Sequence, residues 1–154
     1  MPATDANSSI LCVRDIMTPR VHTLQLDDSV RSAARLFERE RFHHVVVLER
    51  GRVFGVVSDR DILKVISPFC GDPILGRAQD EGPLKKRLHQ IMTRKPTIIR
   101  PERSVAEAAE MMLTHRVSCL PVVDADETLV GILTARDLLA QLATPAQGEP
   151  PPSL

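Results

Sequence analysis

The stretch Gly55-Val56-Val57-Ser58-Asp59-Arg60-Asp61 returns later in the chain as Gly131-Ile132-Leu133-Thr134-Ala135-Arg136-Asp137. A shorter motif, Ile16-Met17-Thr18, returns as Ile91-Met92-Thr93, so two copies of one unit stay in register along the chain. A repeated unit of this size is one supersecondary element that buries its apolar face against its copy. We therefore expect any ligand site to lie between the copies and to occur twice.

The overall composition limits the class of protein. The chain has 154 residues and 43% hydrophobic content, enough for one compact domain or two interlocked ones. Its 20 basic and 20 acidic side chains cancel, which makes a nucleic-acid partner unlikely. Cys12, Cys70 and Cys119 have no paired spacing, so neither a disulfide framework nor a zinc knuckle is expected. Reduced thiols and a cytoplasmic location fit better.

The chain also divides into segments by composition. The polar start lacks a secretory signal, and no apolar run approaches the roughly 18 residues that cross a bilayer, so no membrane association is expected. The proline-rich end predicts a disordered tail. The predicted segments are a disordered start (1–9), a first unit (10–67), a linker (68–83), a second unit (84–143) and a disordered tail (144–154).

Each unit shows the same order of elements, β-α-β-β-α, which predicts an α/β fold. The first helix of each unit carries apolar residues at i, i+3, i+4 and i+7, namely Val30, Ala33, Ala34 and Phe37, and Val105, Ala108, Ala109 and Met112. The predicted strands are 22–26, 45–48 and 53–57 in the first unit and 97–100, 120–123 and 129–133 in the second. A second helix begins at Ser58 or Thr134, and a short helix is expected over 84–89.

These features resemble the cystathionine-β-synthase (CBS) domain pair. The resemblance rests on the Ile-Met-Thr entry, the strand Ser118-Cys119-Leu120-Pro121-Val122-Val123-Asp124, and the pattern Gly-x-x-Ser/Thr-x-x-Asp in both copies, and it covers roughly residues 13 to 143. It implies two units packed through their sheets about a pseudo-two-fold axis, and two such pairs in a flat dimer. It also implies two clefts that bind adenosine-containing ligands such as AMP, ADP, ATP or S-adenosylmethionine.

The chemistry of the repeated pattern points to the same kind of ligand. A carboxylate in the first turn of a helix, here Asp61 or Asp137, can accept two hydrogen bonds from a ribose diol. The hydroxyls of Ser58 and Thr134 and the helix N–H groups favour phosphate oxygens, with Arg60 and Arg136 adding positive charge. The alternative is that each Ser/Thr-x-x-Asp is only a helix capping box. The recurring glycine, in a strand that needs none, and the arginine before each Asp favour the ligand.

The resemblance also distributes the site residues between two clefts. One cleft would combine Ser58, Arg60 and Asp61 with the wall residues Met92, Thr97, Val117 and Ser118, and the other would combine Thr134, Arg136 and Asp137 with Met17, His22, Phe42 and His43. His43 stands where energy-sensing kinase regulatory subunits of the family carry a phosphate-contacting histidine; the alternative is an exposed polar strand edge. The family's usual proline is replaced by Val46 in the first copy, so a differently shaped adenine-facing backbone is expected there.

The function expected from these observations is that of a stand-alone regulatory module. It would bind an adenosine nucleotide, AMP first among the candidates, and signal by a change of shape to a protein partner of unknown identity. The alternative is a scaffold whose clefts are empty or vestigial. An enzyme is not expected, because no activated nucleophile, metal constellation or phosphate-binding loop can be identified. A homodimer is expected, since Met111-Met112-Leu113 would leave apolar area exposed on a monomer.

Overall fold

The computed structural model describes residues 10–66 and 81–143. The predicted disordered segments 1–9 and 144–154, and residues 67–80 with most of the predicted linker, lie outside the described residues. None of the described helices has the length and apolar character that a membrane crossing requires.

The first repeat contains three helices and three strands, in the order α1 (Val13–Ile16), β1 (Thr23–Gln25), α2 (Val30–Arg39), β2 (His44–Glu49), β3 (Arg52–Ser58) and α3 (Asp59–Val65). The second contains α4 (Glu81–Lys85), a 3₁₀ turn (Leu88–Gln90), β4 (Thr93–Arg94), α5 (Val105–His115), β5 (Cys119–Val123), β6 (Leu129–Thr134) and α6 (Ala135–Ala143). The predicted α/β fold and the order of the main elements are confirmed.

Two predicted elements of the second repeat differ in the structure. The segment 97–100 is not a strand and makes only one bridge, between Ile99 and Val122. The neighbouring Pro121 has no N–H, so the ladder cannot extend from there. The short helix expected over 84–89 begins earlier, at Glu81 inside the predicted linker, and is followed by the separate 3₁₀ turn. Pro83 lies in the first turn of that helix, where a missing N–H costs little.

The strands form two sheets. In the larger, β1 pairs with β2 in parallel, and β2 pairs with β3 and β3 with β4 in antiparallel fashion. The smaller consists of the antiparallel pair β5 and β6. The β2–β3 hairpin turns at Arg50 and Gly51, whose φ angles of 50° and 79° are both left-handed, as a tight two-residue hairpin requires.

Each repeat contributes its entry segment to the core of the other repeat. Leu88, from the second repeat, is fully buried in the core of the first, and its N–H donates to the Asp28 carbonyl at 2.9 Å. Val13, from the first repeat, is fully buried in the core of the second, and its N–H donates to the Arg103 carbonyl at 2.8 Å. The strand β4 likewise pairs with β3 of the other repeat. The repeats are therefore interlocked rather than side by side.

A third apolar cluster joins the two sheets and consists of Val46, Val56, Cys119 and Ile132. Val56 and Ile132 occupy equivalent positions of the two copies, so the sheets meet about an axis of approximate two-fold symmetry. The predicted packing of the units through their sheets is confirmed. The clefts described next open on either side of this contact.

Candidate functional site

Two clefts lie between the repeats, each at the start of one repeat's last helix. We call them the Asp61 cleft, of about 800 Å³, and the Asp137 cleft, of about 420 Å³. Both volumes lie within the range of about 300 to 1,000 Å³ that is typical of small-molecule sites. The main polar walls of the Asp61 cleft are Ser58, Asp59, Arg60, Asp61, Lys64, Lys95, Thr97, Arg116 and Ser118. Those of the Asp137 cleft are Thr18, Arg20, His22, Arg41, His43, His44, Ser118, Thr134, Arg136 and Asp137.

The aspartate of the Asp61 cleft caps α3. Its Oδ2 accepts hydrogen bonds from the Ser58 N–H at 2.8 Å and from the Ser58 hydroxyl at 3.0 Å. The Ser58 oxygen in turn lies 3.2 Å from the Asp61 N–H, which completes a capping box. The capping alternative is therefore realised at this helix.

The aspartate of the Asp137 cleft makes the equivalent bonds at the start of α6. Asp137 Oδ2 accepts from the Thr134 N–H and from the Thr134 hydroxyl, both at 2.7 Å. In both clefts only Oδ2 is used: within the described part of the chain, Oδ1 of Asp61 and of Asp137 accepts no hydrogen bond. Capping and ligand binding are thus compatible, because each carboxylate keeps one oxygen for an incoming donor.

The recurring glycines have a packing role that the sequence argument missed. A Cβ built on Gly55 would lie 2.5 Å from Met92 Sδ and 3.0 Å from the Thr93 carbonyl oxygen. A Cβ on Gly131 would lie 2.5 Å from Met17 Sδ. The premise that these strands need no glycine was therefore wrong, because a side chain at either position would have to displace a methionine and would crowd a backbone carbonyl. Met17 and Met92, expected as cleft walls, lie against the glycines and do not line either cleft.

The other predicted site residues come together as the two expected groups. Ser58, Arg60, Asp61, Thr97, Val117 and Ser118 line the Asp61 cleft, and Thr134, Arg136, Asp137, His22, Phe42 and His43 line the Asp137 cleft. In the latter, the ring of His22 stacks on Phe42 with centroids 5.0 Å apart and planes 22° apart. Phe37 meets Phe42 edge to face behind that stack. The Asp137 cleft therefore has an aromatic wall that the Asp61 cleft replaces with Thr97 and Val117.

A wall of three polar residues, His43, His44 and Ser118, is shared by the two clefts. His43 Nδ1 lies 2.8 Å from Asp59 Oδ2, and His44 Nε2 lies 3.1 Å from Ser118 Oγ. His43 was assigned from the sequence to the Asp137 cleft alone, but it lines both. The shared position of His43 could not be predicted by comparing the copies. The His43–Asp59 hydrogen bond has no counterpart in the second copy, where Ala135 stands in place of Asp59.

The pKa values of His44, Asp59 and Cys119 are each shifted from their ordinary values, not all in the same direction. Burial lowers the pKa of His44, which favours its neutral form. Partial burial by itself would raise the pKa of Asp59, but the hydrogen bonds from His43 and the Arg60 N–H outweigh it and lower that pKa. Burial raises the pKa of the Cys119 thiol to about 12, so this thiol stays protonated at neutral pH. Among the residues that the structure describes, no group of three or more His, Cys, Asp or Glu could hold a metal ion.

Five cations in the clefts were missed from the sequence: Arg20 and Arg41 in the Asp137 cleft, and Lys64, Lys95 and Arg116 in the Asp61 cleft. A signal for four of them was present. Arg20 and Lys95 are equivalent positions of the two copies, as are Arg41 and Arg116, and a basic residue stands at each. Comparing charge, rather than only apolar pattern, between the copies would have identified them.

Comparison with known proteins gives a consistent result. A family model described as CBS domain matches residues 13–68 and 88–144. A CBS domain-containing protein of Dictyostelium discoideum is 32% identical over 147 residues, covering 92% of this chain and 97% of that protein. The homoserine O-acetyltransferase of Methanococcoides burtonii is 33% identical over 127 residues, but the match spans 82% of this chain and only 23% of that protein.

A solved structure adds a ligand to the comparison. The CBS-pair protein CBSX2 of Arabidopsis thaliana, determined in complex with AMP, superposes with a TM-score of 0.70 at 30% identity. The superposition covers 86% of this chain and 96% of that one. The fold described above is thus shared with a protein that was crystallised with AMP.

Proposed function

The chain belongs to the CBS domain family, and from that premise we propose that it is a regulatory module that binds an adenosine nucleotide in the clefts between its repeats. The observation that carries the proposal is that, among residues 10–66 and 81–143, no group donates to Oδ1 of Asp61 or of Asp137, and that each aspartate lines a cleft of ligand size together with several cations. AMP is the first candidate ligand, and ADP, ATP and S-adenosylmethionine are the others. No metal is needed for this assignment.

In this proposal each part of the ligand has its own set of residues. Asp61 and Asp137 accept hydrogen bonds from the ribose hydroxyls. The phosphate is held by Ser58, Arg60, Thr134, Arg136 and His43, and the base lies against Thr97, Val117 and Ser118 in one cleft and His22 and Phe42 in the other. The stacked His22 and Phe42 support a role in holding a flat base, since aromatic faces favour offset stacking.

A scaffold with vestigial clefts is the second candidate. Cations at equivalent positions of both clefts, such as Arg41 and Arg116, speak against it, because an unused cleft has no reason to gather like charges. We propose a regulatory rather than a catalytic role; burial keeps the Cys119 thiol protonated, which makes this residue a poor nucleophile. Signalling to an unknown protein partner and a cytoplasmic location stay predictions.

The first test concerns recognition of the phosphate. AMP should bind at least about tenfold more tightly than adenosine, because charge-assisted hydrogen bonds contribute about 1.5 to 3 kcal/mol each. Isothermal titration calorimetry of both ligands at one ionic strength gives the comparison. Equal affinities would mean that the arginines of the clefts do not hold a phosphate.

The second test concerns assembly, which should depend on the exposed apolar residues of α5 and α6. Of the three residues expected to be exposed, Met112 is buried and Met111 partly buried, so only Leu113 supports the argument. Leu113 on α5 is 80% exposed, and on the adjoining α6 Leu139 and Leu142 are 64% and 83% exposed. We expect a homodimer that covers this leucine patch.

Light scattering at micromolar concentration should therefore give twice the monomer mass of 17.1 kDa. Leu113→Asp should shift the mass toward the monomer, because a dimer would have to bury the new charge. Ile10→Asp, an equally polar change at an exposed position outside the patch, is the matched control and should leave the dimer intact. A monomeric wild-type protein would contradict the prediction.

A further inference from the structure

The two clefts carry matched sets of cations, with one exception. The equivalent pairs are Arg60 and Arg136, Lys95 and Arg20, and Arg116 and Arg41. Lys64 has no basic counterpart: the equivalent residue in the second repeat is Ala140, which does not line the Asp137 cleft. The Asp61 cleft thus has a fourth cation and about twice the volume, about 800 Å³ against about 420 Å³.

The Lys64 side chain lies one turn after Asp61 and, like other helical side chains, tilts back toward the start of α3, where the phosphate-binding groups are proposed to lie. Lys64 follows Asp61 by three residues on α3, so the two side chains project from the same face of the helix. Lys95 and Arg116 line the same cleft, which groups three cations in addition to Arg60. Four cationic side chains spread over the walls of a cleft of about 800 Å³ are better matched by a chain of phosphates, which presents more oxygens over a greater length than a single phosphate does.

The acidic residues equalise the net charge of the two clefts but leave the Asp61 cleft with more cationic donors. The Asp61 cleft contains a second carboxylate, Asp59, so the two clefts have the same formal charge if their histidines are neutral. Both oxygens of Asp59 are already occupied, however: Oδ2 by His43 at 2.8 Å and Oδ1 by the Arg60 N–H at 2.8 Å. A ligand in the Asp61 cleft therefore has four cationic donors available, while the hydrogen bonds from His43 and the Arg60 N–H hold the Asp59 carboxylate in place.

The backbone at the mouth of the Asp61 cleft is also unusual. Lys95 and Arg116 have φ angles of 49° and 54°, in the left-handed region that residues other than glycine seldom adopt. Their counterparts Arg20 and Arg41 are not in that region. Arg116 adopts this conformation as the C-cap of α5, where a left-handed residue commonly ends a helix. Lys95 and Arg116 both line the larger cleft.

We propose that the Asp61 cleft selects a nucleoside triphosphate over the monophosphate, with Lys64 as the residue that sets the preference, and that the smaller Asp137 cleft takes the monophosphate. This inference rests on the proposed function, because it assumes that both clefts bind nucleotides. Lys64, Lys95 and Arg116 hold the second and third phosphates, while Asp61 and Ser58 hold the ribose and the first phosphate.

The experiment is calorimetric titration with ATP and with AMP, each in EDTA and at fixed ionic strength. The wild-type protein should show one step that prefers ATP. Lys64→Ala should lower the affinity for ATP at that step about five- to tenfold, a moderate loss because an exposed ammonium contributes less than a buried one. The same variant should change the affinity for AMP by less than about twofold. Lys64→Arg, which keeps the charge, should retain the preference. Asp61→Asn should weaken the same step and so assign it to this cleft.

The reciprocal change provides an internal control. Ala140→Lys places a lysine at the equivalent position of α6 and should increase the affinity of the other step for ATP without changing the Lys64 step. Equal loss of ATP and AMP binding in Lys64→Ala, or no loss of either, would overturn the selection while leaving the proposed function standing. A wild-type protein that binds neither nucleotide would overturn both.

Discussion

Leu88→Ala is expected to lower the free energy of unfolding by about 2 to 5 kcal/mol, the usual range for truncating a buried leucine. Leu88 is 0% exposed, and it lies in the core of the first repeat although its place in the sequence is in the second. The loss of stability has two contributions: the transfer free energy of the removed methyl groups and the cost of the cavity that remains. Few substitutions in this chain should cost more stability.

The measurement is denaturant unfolding followed by far-ultraviolet circular dichroism, because the chain has no tryptophan or tyrosine to report by fluorescence. Protein concentration must be held fixed, since assembly would contribute to the apparent stability. Leu63→Ala is the matched control: it removes the same atoms from a side chain that is 69% exposed, and it should change the free energy of unfolding by less than about 0.5 kcal/mol.

A double-mutant cycle tests the interlocking directly. Leu88→Ala should couple to Ile62→Val, in the core of the first repeat, by at least about 0.5 kcal/mol. With Leu120→Ala, in the core of the second repeat, the effects should add. The opposite pattern, coupling to Leu120 and additivity with Ile62, would mean that Leu88 packs within its own repeat.

Asp61→Asn and Asp137→Asn are expected to weaken nucleotide binding at their own clefts by about tenfold to a hundredfold while the fold persists. The structure explains why nucleotide affinity should fall much more than the stability of the fold. An asparagine oxygen can take the place of Oδ2 and keep the bonds to Ser58 or Thr134, so the loss of stability should stay at or below about 1 kcal/mol. The amide nitrogen then occupies the place of Oδ1 and cannot accept a bond from the ribose.

Nucleotide titrations of both single variants and of the double variant, with melting temperatures measured alongside, supply the test. Each single variant should lose affinity at one step, and the double variant at both. Ser104→Ala serves as a comparison, because it disturbs a capping box at the start of α5, outside both clefts, and should lower stability without changing affinity. Unchanged affinity in the double variant would leave capping as the whole role of these aspartates and remove the ribose assignment.

The sequence predicted most of the local structure because the two copies constrain each other. The apolar stripes that begin at Val30 and Val105 place two helices that the structure contains. The Ser58-x-x-Asp61 and Thr134-x-x-Asp137 patterns place the helix starts at the edges of the clefts. These predictions depend on neighbours within a few residues, and local spacing carries that information.

Contacts between the copies could not be predicted in the same way. The alignment of the repeats states that Val13 and Leu88 are equivalent, but it does not state which core each one fills. The tight fit of Met92 on Gly55 was missed for the same reason, since both residues look ordinary in isolation. His43 was assigned to one cleft because the sequence does not reveal that the two clefts share a wall.

The exchange of entry segments also bears on how such a chain could arise. A polypeptide with a single repeat would lack the segment that covers its own core, and only a second molecule could supply it, so the ancestral form would be an obligate pair of chains. Gene duplication and fusion would turn that encounter into an intramolecular one, with an effective concentration set by the connecting segment and not by the amount of protein in the cell. After fusion each half could mutate alone, and the appearance of Lys64 opposite Ala140 is the kind of divergence that two identical chains could never show.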